Sequence, residues 1–145
     1  MVTAMDILGD PDVRDAVDAH AMAWFPRECC GLLVTGPAGH AALLTPNGID
    51  EAPGHQGRTA ETGYVLDSAE IARSAGRGET LVGIFHSHCR VGATFSDADR
   101  RLALSPSNEP WFPGVDYVVL DAQDRGVAGF KVFRWAEDRR DFIEP

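Results

Sequence analysis

The residues best suited to chemistry are two histidines separated by one serine, in the segment His86-Ser87-His88. Side chains alternate between the two faces of a β-strand, so both imidazoles point the same way where a strand ends with this segment. Neutral imidazole nitrogens are common zinc ligands, and a catalytic zinc site typically uses three protein ligands and a water. We therefore expect the third ligand to be a carboxylate that the fold brings close to both rings.

Asp99 is the candidate for that third ligand. It follows His88 by eleven residues, in the first turn of a helix predicted to begin at Ser96. Ser96 and Asp99 also form a capping box, which explains these two residues structurally without excluding ligation. The combined pattern, His-x-His followed after seven residues by Ser-x-x-Asp, arises by chance in roughly one chain in a thousand of this composition. The sequence therefore favours a metal site formed by His86, His88 and Asp99.

A hydrolytic zinc site also needs a group that accepts a proton from water, and Glu28 is the candidate. Glu28 lies between the end of a predicted helix and a predicted apolar strand that begins at Cys30. From position alone, an ordinary carboxylate at a helix end is the better interpretation. No spacing in the sequence places Glu28 near His86.

The elements that must position these residues are a mixture of helices and strands. Asp10-Pro11 is typical of a helix start, and Pro26 ends that helical pattern. Residues 46–63 are rich in proline, glycine and asparagine, so we predict a loop there. We predict two further helices at 68–75 and 96–104, and strands at 30–35, 40–45, 64–66, 81–88, 117–120 and 129–135, the last of them at a sheet edge. These predictions describe an α+β fold with a mixed or antiparallel sheet.

Length and charge limit the classes of function. The 145 residues suit one domain, over residues 1–145. Thirteen basic against 22 acidic residues give a formal charge of −9, which argues against nucleic acid or an anionic membrane as the main partner. Three cysteines, two of them adjacent, do not form a disulfide framework. We find no signal-peptide pattern in residues 1–12 and no membrane-spanning run, and we expect a cytoplasmic protein.

The combined motifs resemble a known family. Glu28-Cys29-Cys30-Gly31-Leu32-Leu33, followed far downstream by His86-Ser87-His88, seven residues and Ser96-Asp97-Ala98-Asp99, resembles the JAMM (MPN-plus, or JAB-domain) zinc metallopeptidases of compact prokaryotic type. The segments 82–85, 113–119 and 130–134 are similar to the family as well, so the resemblance covers residues 11–135. One position departs from the pattern, because Cys89 stands where the family usually has proline. A small apolar residue that fills the proline pocket explains Cys89 better than an oxidation-sensitive or competing zinc ligand does.

The resemblance implies an MPN/JAB fold, in which a cytidine-deaminase-like mixed sheet is flanked by helices. It implies one zinc ion per chain, held by His86, His88 and Asp99. Glu28 would then be the general acid and base, and Ser96 would hydrogen-bond the developing oxyanion. A zinc deaminase is excluded, because the His-x-Glu and Pro-Cys-x-x-Cys elements are missing.

The activity that the resemblance implies is hydrolysis of the amide bond after the C-terminal glycine of a ubiquitin-like protein, with zinc activating the water. The partner would be a ubiquitin-like modifier or a sulfur-carrier protein, bound through its Gly-Gly tail, and residues 46–63 are a candidate for part of the tail groove. Removal of an amino acid such as cysteine from a sulfur carrier is an alternative. A non-catalytic module that binds ubiquitin-like proteins, or a zinc hydrolase of small amides, also remains open.

The sequence says little about assembly. Trp111, Phe112 and Trp135 could form an interface, but aromatic residues near strand ends more often close a core. The charged run at residues 138–141 is most simply a solvated tail. The oligomeric state stays open.

Overall fold

A computed structural model describes residues 1–52 and 57–145. Its centre is one six-stranded sheet with the strand order β2-β1-β3-β4-β5-β6, in which only β3 and β4 are parallel. The strands are β1 (Cys30–Gly36), β2 (Gly39–Thr45), β3 (Thr80–Cys89), β4 (Asp116–Gln123), β5 (Gly126–Ala136) and β6 (Asp141–Ile143). The helices are α1 (Ala4–Leu8), α2 (Pro11–Trp24), α3 (Ser68–Gly76) and α4 (Asp97–Ala103), with a 3-10 turn at Ile49–Glu51. The predicted α+β class and mixed sheet are confirmed.

Helices cover both faces of the sheet and create two apolar cores. Val13, Val17 and Ala21 recur at helical spacing on α2 and, together with α1, pack on one face against Phe85. The opposite face carries Ile84 and is covered by side chains from α3, α4 and the chain around residue 64. His86 and His88 follow Ile84 at intervals of two residues and therefore share this second face.

A β-bulge sets which face the histidines occupy. In the pairing of β1 with β3, Leu33 lies opposite Gly83 while Val34 lies opposite Leu81. Val82 is therefore an extra residue, and it packs into the first core. Because a one-residue shift exchanges the two faces of a strand, the bulge allows Leu81 and the histidines to face the same side.

The structure corrects the strand predicted at residues 64–66. In the described part of the chain these residues pair with no strand, because the backbone next to Tyr64 bonds to a side chain instead. The carbonyl of Gly63 accepts from the Asn47 amide, and the N–H of Val65 donates to the same amide. The loop predicted at 46–63 contains the 3-10 turn, and its residues 53–56 lie outside the described chain.

The predictions at the two chain ends are also corrected. β6 pairs with the last three residues of β5 and buries Phe142, so within the described sheet β5 is an edge strand only before Arg134. The run at 138–141 is therefore not simply a solvated tail, since Asp141 begins β6 and accepts a hydrogen bond from Arg100. The segment before Asp10 forms α1, which the sequence analysis did not predict.

The three aromatic residues predicted to close a core behave differently from one another. Phe112 and Trp135 pack against the second core, as expected. Trp111 does not, because 56% of its surface is exposed.

The carboxylate of Asp116 joins the N-terminal helix to the sheet, and this contact can be tested. It is buried, accepts from the backbone N–H of Ala4 at 3.0 Å, and accepts from Arg134 at 2.7 Å. Asp116→Ala leaves both donors without a partner, so we expect a loss of about 2–3 kcal/mol in the free energy of unfolding, measured by urea denaturation. The matched control is Asp124→Ala, which removes an exposed pair with Arg90 at the same 2.7 Å and should cost less than about 0.5 kcal/mol. Equal effects would contradict the role of Asp116.

Candidate metal centre

The end of β3 brings the two histidines together as the alternation of side chains predicts. The Nε2 atoms of His86 and His88 lie 3.2 Å apart. The His86 side chain is fully buried and that of His88 nearly so. Two buried ring nitrogens that face each other can share one proton or direct two lone pairs at a cation.

Asp99 completes the convergence. Its two carboxylate oxygens lie 3.1 Å from Nε2 of His86 and 3.1 Å from Nε2 of His88. The same carboxylate accepts the N–H of Ser96, and the Asp99 N–H donates to the Ser96 hydroxyl oxygen. Capping of α4 and contact with the histidines therefore occur together, and the capping box fixes where the carboxylate points.

Glu28 lies beside the pair, which its sequence position did not indicate. Its carboxylate and the ring nitrogens of His86 and His88 all lie within 4.8 Å of one another, and all three side chains are buried. The sheet explains the placement, because Cys30 of β1 pairs directly with His86. Pairing therefore sets Glu28, two residues before Cys30, at the same end of the sheet.

This donor set fits a divalent metal such as zinc. The Nδ1 of His88 lies 3.1 Å from the carbonyl of Gly92, so this nitrogen carries the proton and Nε2 keeps its lone pair. Imidazole and carboxylate donors are those that zinc prefers. His86, His88 and Asp99 would hold the ion, with Glu28 next to it. The individual roles of these residues stay predictions.

The family model for prokaryotic homologues of the JAB domain matches residues 10–132. The chain belongs to the prokaryotic JAB family. The family includes zinc metallopeptidases, and the buried Glu28, His86 and His88 give this JAB domain a group able to bind one metal ion. No protein among the curated sequences matches the chain.

Two solved structures with TM-scores above 0.5 show the same fold as this JAB domain. Protein DSY2949 from Desulfitobacterium hafniense is 20% identical, with a TM-score of 0.62 over 92% of this chain and 86% of its own. A protein from Salinibacter ruber is 24% identical, with a TM-score of 0.57 over 100% of this chain and 88% of its own. AF2198, a JAB1/MPN domain protein from Archaeoglobus fulgidus, is 14% identical, with a TM-score of 0.48 over 91% and 90%. No helix within residues 1–52 or 57–145 combines the length and apolar character needed to cross a membrane.

Burial and the contacts among the buried side chains set the pKa values at the JAB-domain site. Desolvation raises the pKa of Glu28 to about 8. Burial also lowers the pKa of His86, although the Asp99 carboxylate opposes it. Burial alone would raise the pKa of Asp99, but the two imidazoles and the Ser96 N–H outweigh it and hold the pKa well below its usual range. Asp99 is therefore charged at neutral pH, and Glu28 is the carboxyl group able to gain and lose a proton near neutral pH.

Two polar side chains that the sequence analysis did not single out fix the backbone around Glu28. Asn47 donates to the carbonyl of Glu28 at 2.9 Å. Ser87, the residue between the histidines, accepts the N–H of Cys29 at 2.8 Å and donates its own N–H to the Cys29 carbonyl. The signal for Asn47 was the turn sequence at 46–48, which is equally typical of an ordinary loop.

Ser96 is the N-cap of α4, as the predicted capping box requires, and Cys89 is the last residue of β3. The Ser96 hydroxyl oxygen accepts from Asp99, which leaves its proton available for a substrate atom. Cys89 ends β3 and is half-buried, and burial raises the pKa of its thiol to about 11.

Asn47 should be indispensable to the stability of this JAB domain. Its amide is buried and makes four hydrogen bonds, to the backbone of Glu28, Ile49, Gly63 and Val65. Asn47→Ala leaves four backbone groups without partners, so we expect a loss of about 3 kcal/mol or more in the free energy of unfolding, measured by urea denaturation. Gln123→Ala is the control. Among the described residues its amide bonds only to Asp121, at a strand end, so the change in stability should be less than about 0.5 kcal/mol.

The raised pKa of Glu28 predicts a pH-dependent stability of the metal-free protein. The stability that depends on a protonated Glu28 is complete below about pH 4.5 and is lost as the pH rises through about 8. Glu28→Gln stays neutral, so with a chelator present it should gain roughly 2–4 kcal/mol on the wild type between about pH 5 and about pH 9. Urea denaturation across that range measures the gain, and the exposed Glu61→Gln is the control. A constant difference between Glu28→Gln and wild type would contradict the raised pKa.

Proposed function

We propose that this JAB domain is a zinc-dependent peptidase or isopeptidase that hydrolyses the amide bond after the C-terminal glycine of a ubiquitin-like protein. The observation that carries the proposal is the convergence of His86, His88 and Asp99 beside the buried carboxyl group of Glu28. Without a metal, burial of His86, His88 and Asp99 costs the hydration of their nitrogen and oxygen atoms, which their mutual contacts offset only in part. A metal site uses all of them.

The contacts of these residues support the following roles. A bound zinc ion would supply a water of lowered pKa and would polarise the substrate carbonyl. Glu28 would accept a proton from the attacking water and pass it to the leaving nitrogen, which suits a carboxyl group with a pKa near neutrality. Ser96 would donate its hydroxyl proton to the carbonyl oxygen as negative charge develops there.

A glycine tail suits the surroundings of this site. β2 pairs only with β1 within the described sheet, so its other side is an edge at which an extended tail can add as a strand. Thr45 ends β2 opposite Cys30, which in turn pairs with His86. A strand added there would lie three strand spacings, about 14 Å, from β3, so its glycine end would continue past the ends of β2 and β1 to reach the site. Glycine there allows close approach of backbone to a metal.

An apolar cleft beside His86 supports a tail with one apolar side chain upstream of the glycines. The cleft has a volume of about 190 Å³, the size of a single large side chain. Tyr64 forms the wall between the cleft and His86. The lining is almost entirely apolar and includes Leu66, Ile71, Ile84, Leu102 and Phe112.

Zinc content tests the metal site. We expect about one zinc per chain in the wild type, and loss of zinc from both His88→Ala and Asp99→Ala, measured by elemental analysis of the purified proteins. The control is Asp97→Ala, since Asp97 lies on the same helix and is exposed. Zinc retained by the two ligand variants would mean that the ion binds elsewhere, and a wild type without zinc would favour the non-catalytic binding module.

Cleavage assays test the chemistry and the substrate class. We expect release of a group attached to the terminal glycine of a folded ubiquitin-like protein, and slower release from the same tail as a free peptide. Glu28→Gln should keep zinc and lower kcat by about 10²–10⁴-fold, whereas the exposed Glu61→Gln should not. Equal rates on the free peptide would favour the small-amide hydrolase, and preferential release of a single amino acid such as cysteine would favour sulfur-carrier processing.

A further inference from the structure

The two histidines are held by different interactions on the side away from the metal position. A metal-binding imidazole usually donates its other ring N–H to an oxygen, and that bond fixes the ring orientation. His88 follows this pattern through Gly92. His86 does not, because its buried Nδ1 has no hydrogen-bond partner among residues 1–52 and 57–145.

An aromatic ring occupies the face of His86. The rings of Tyr64 and His86 are stacked, with centroids 4.4 Å apart and planes inclined by only 20°. The Tyr64 side chain is almost fully buried and belongs to the second core, next to Ile84. A ring confined in this way limits rotation of the His86 imidazole. A hydrogen bond from Nδ1 would limit the same rotation, but His86 lacks one among the described residues.

The backbone on both sides of Tyr64 is fixed by the Asn47 amide. The carbonyl of Gly63 accepts from Asn47 at 2.9 Å, and the N–H of Val65 donates to it at 3.0 Å. A Cβ on Gly63 would lie 2.9 Å from Cδ1 of Ile49, so a larger residue there would require the Ile49 side chain to shift. The backbone that carries the Tyr64 ring is therefore held by hydrogen bonds that do not involve His86, His88 or Asp99.

We infer that Tyr64 is a positioning residue for the metal site, and that its ring, by stacking on His86, does the work that a hydrogen bond to Nδ1 does for a typical metal-binding histidine. This inference rests on the proposed metal site at His86, His88 and Asp99. The stacked face of the ring carries the effect. The hydroxyl makes no hydrogen bond in the described part of the chain, so it contributes little.

Metal affinity tests the inference without relying on catalysis. The full-length chain is titrated with Zn²⁺ against a competing chelator. Tyr64→Leu and Tyr64→Met remove the ring but keep an apolar side chain, and each should weaken zinc binding by about 10–100-fold, the loss typical of removing an outer partner of a ligand. Tyr64→Phe keeps the ring and should bind zinc almost as the wild type does.

Two further measurements separate positioning from general destabilisation. Phe142→Leu removes an aromatic ring from the same core without contacting either histidine, and it should lower the Tm while leaving zinc affinity unchanged. The visible absorption spectrum of the Co²⁺-loaded protein reports ligand geometry. It should change in Tyr64→Leu and Tyr64→Met, and stay unchanged in Tyr64→Phe and Phe142→Leu.

The outcomes distinguish the inference from the proposed function. A wild type that binds neither Zn²⁺ nor Co²⁺ would overturn both together. A wild type that binds zinc, with equal affinity in whichever of Tyr64→Leu and Tyr64→Met folds, would overturn the role of Tyr64 alone. An equal loss in Tyr64→Phe would assign the effect to the hydroxyl and not to the stacked ring, and an equal loss in Phe142→Leu would assign it to core stability.

Discussion

Four ionisable side chains are buried together where the central strand leaves the sheet, and the surrounding structure has to compensate them. A buried polar group without a partner costs free energy, and a buried charge costs more. His86, His88 and Asp99 meet this demand by contacting one another, and Glu28 meets it by favouring its protonated form. A cation would compensate the whole set at once, so the cluster suits a metal site better than packing alone.

The loop between β2 and α3 serves this site through one amide. Asn47 bonds to the backbone of Glu28 and to the residues on either side of Tyr64. The proposed base and the ring that stacks on His86 therefore take their positions from the same side chain. The segment looks like an ordinary loop in the sequence, yet its hydrogen bonds determine the geometry of the centre.

Several parts of the structure could be predicted because they obey local rules. Alternation along a strand placed His86 and His88 on one face, the capping box placed Asp99 in the first turn of α4, and Asp10-Pro11 marked the start of α2. The strand predicted around Tyr64 was wrong because Asn47, 17 residues earlier, takes the hydrogen bonds that a neighbouring strand would have made. β6 was missed because three residues are too short to give a periodic signal.

The sequence by itself determined that His86, His88 and Asp99 form one group, since the types and spacing of these residues already predict a metal site. The family resemblance implies that Glu28 joins them, but only the tertiary structure shows how, because pairing of Cys30 with His86 connects segments 56 residues apart. The tertiary structure also decided that Tyr64 stacks on His86, and that Asn47 fixes the backbone of Glu28 and the backbone on both sides of Tyr64. These contacts depend on sheet register and on buried hydrogen bonds between distant segments, and no local pattern of residues encodes either of them.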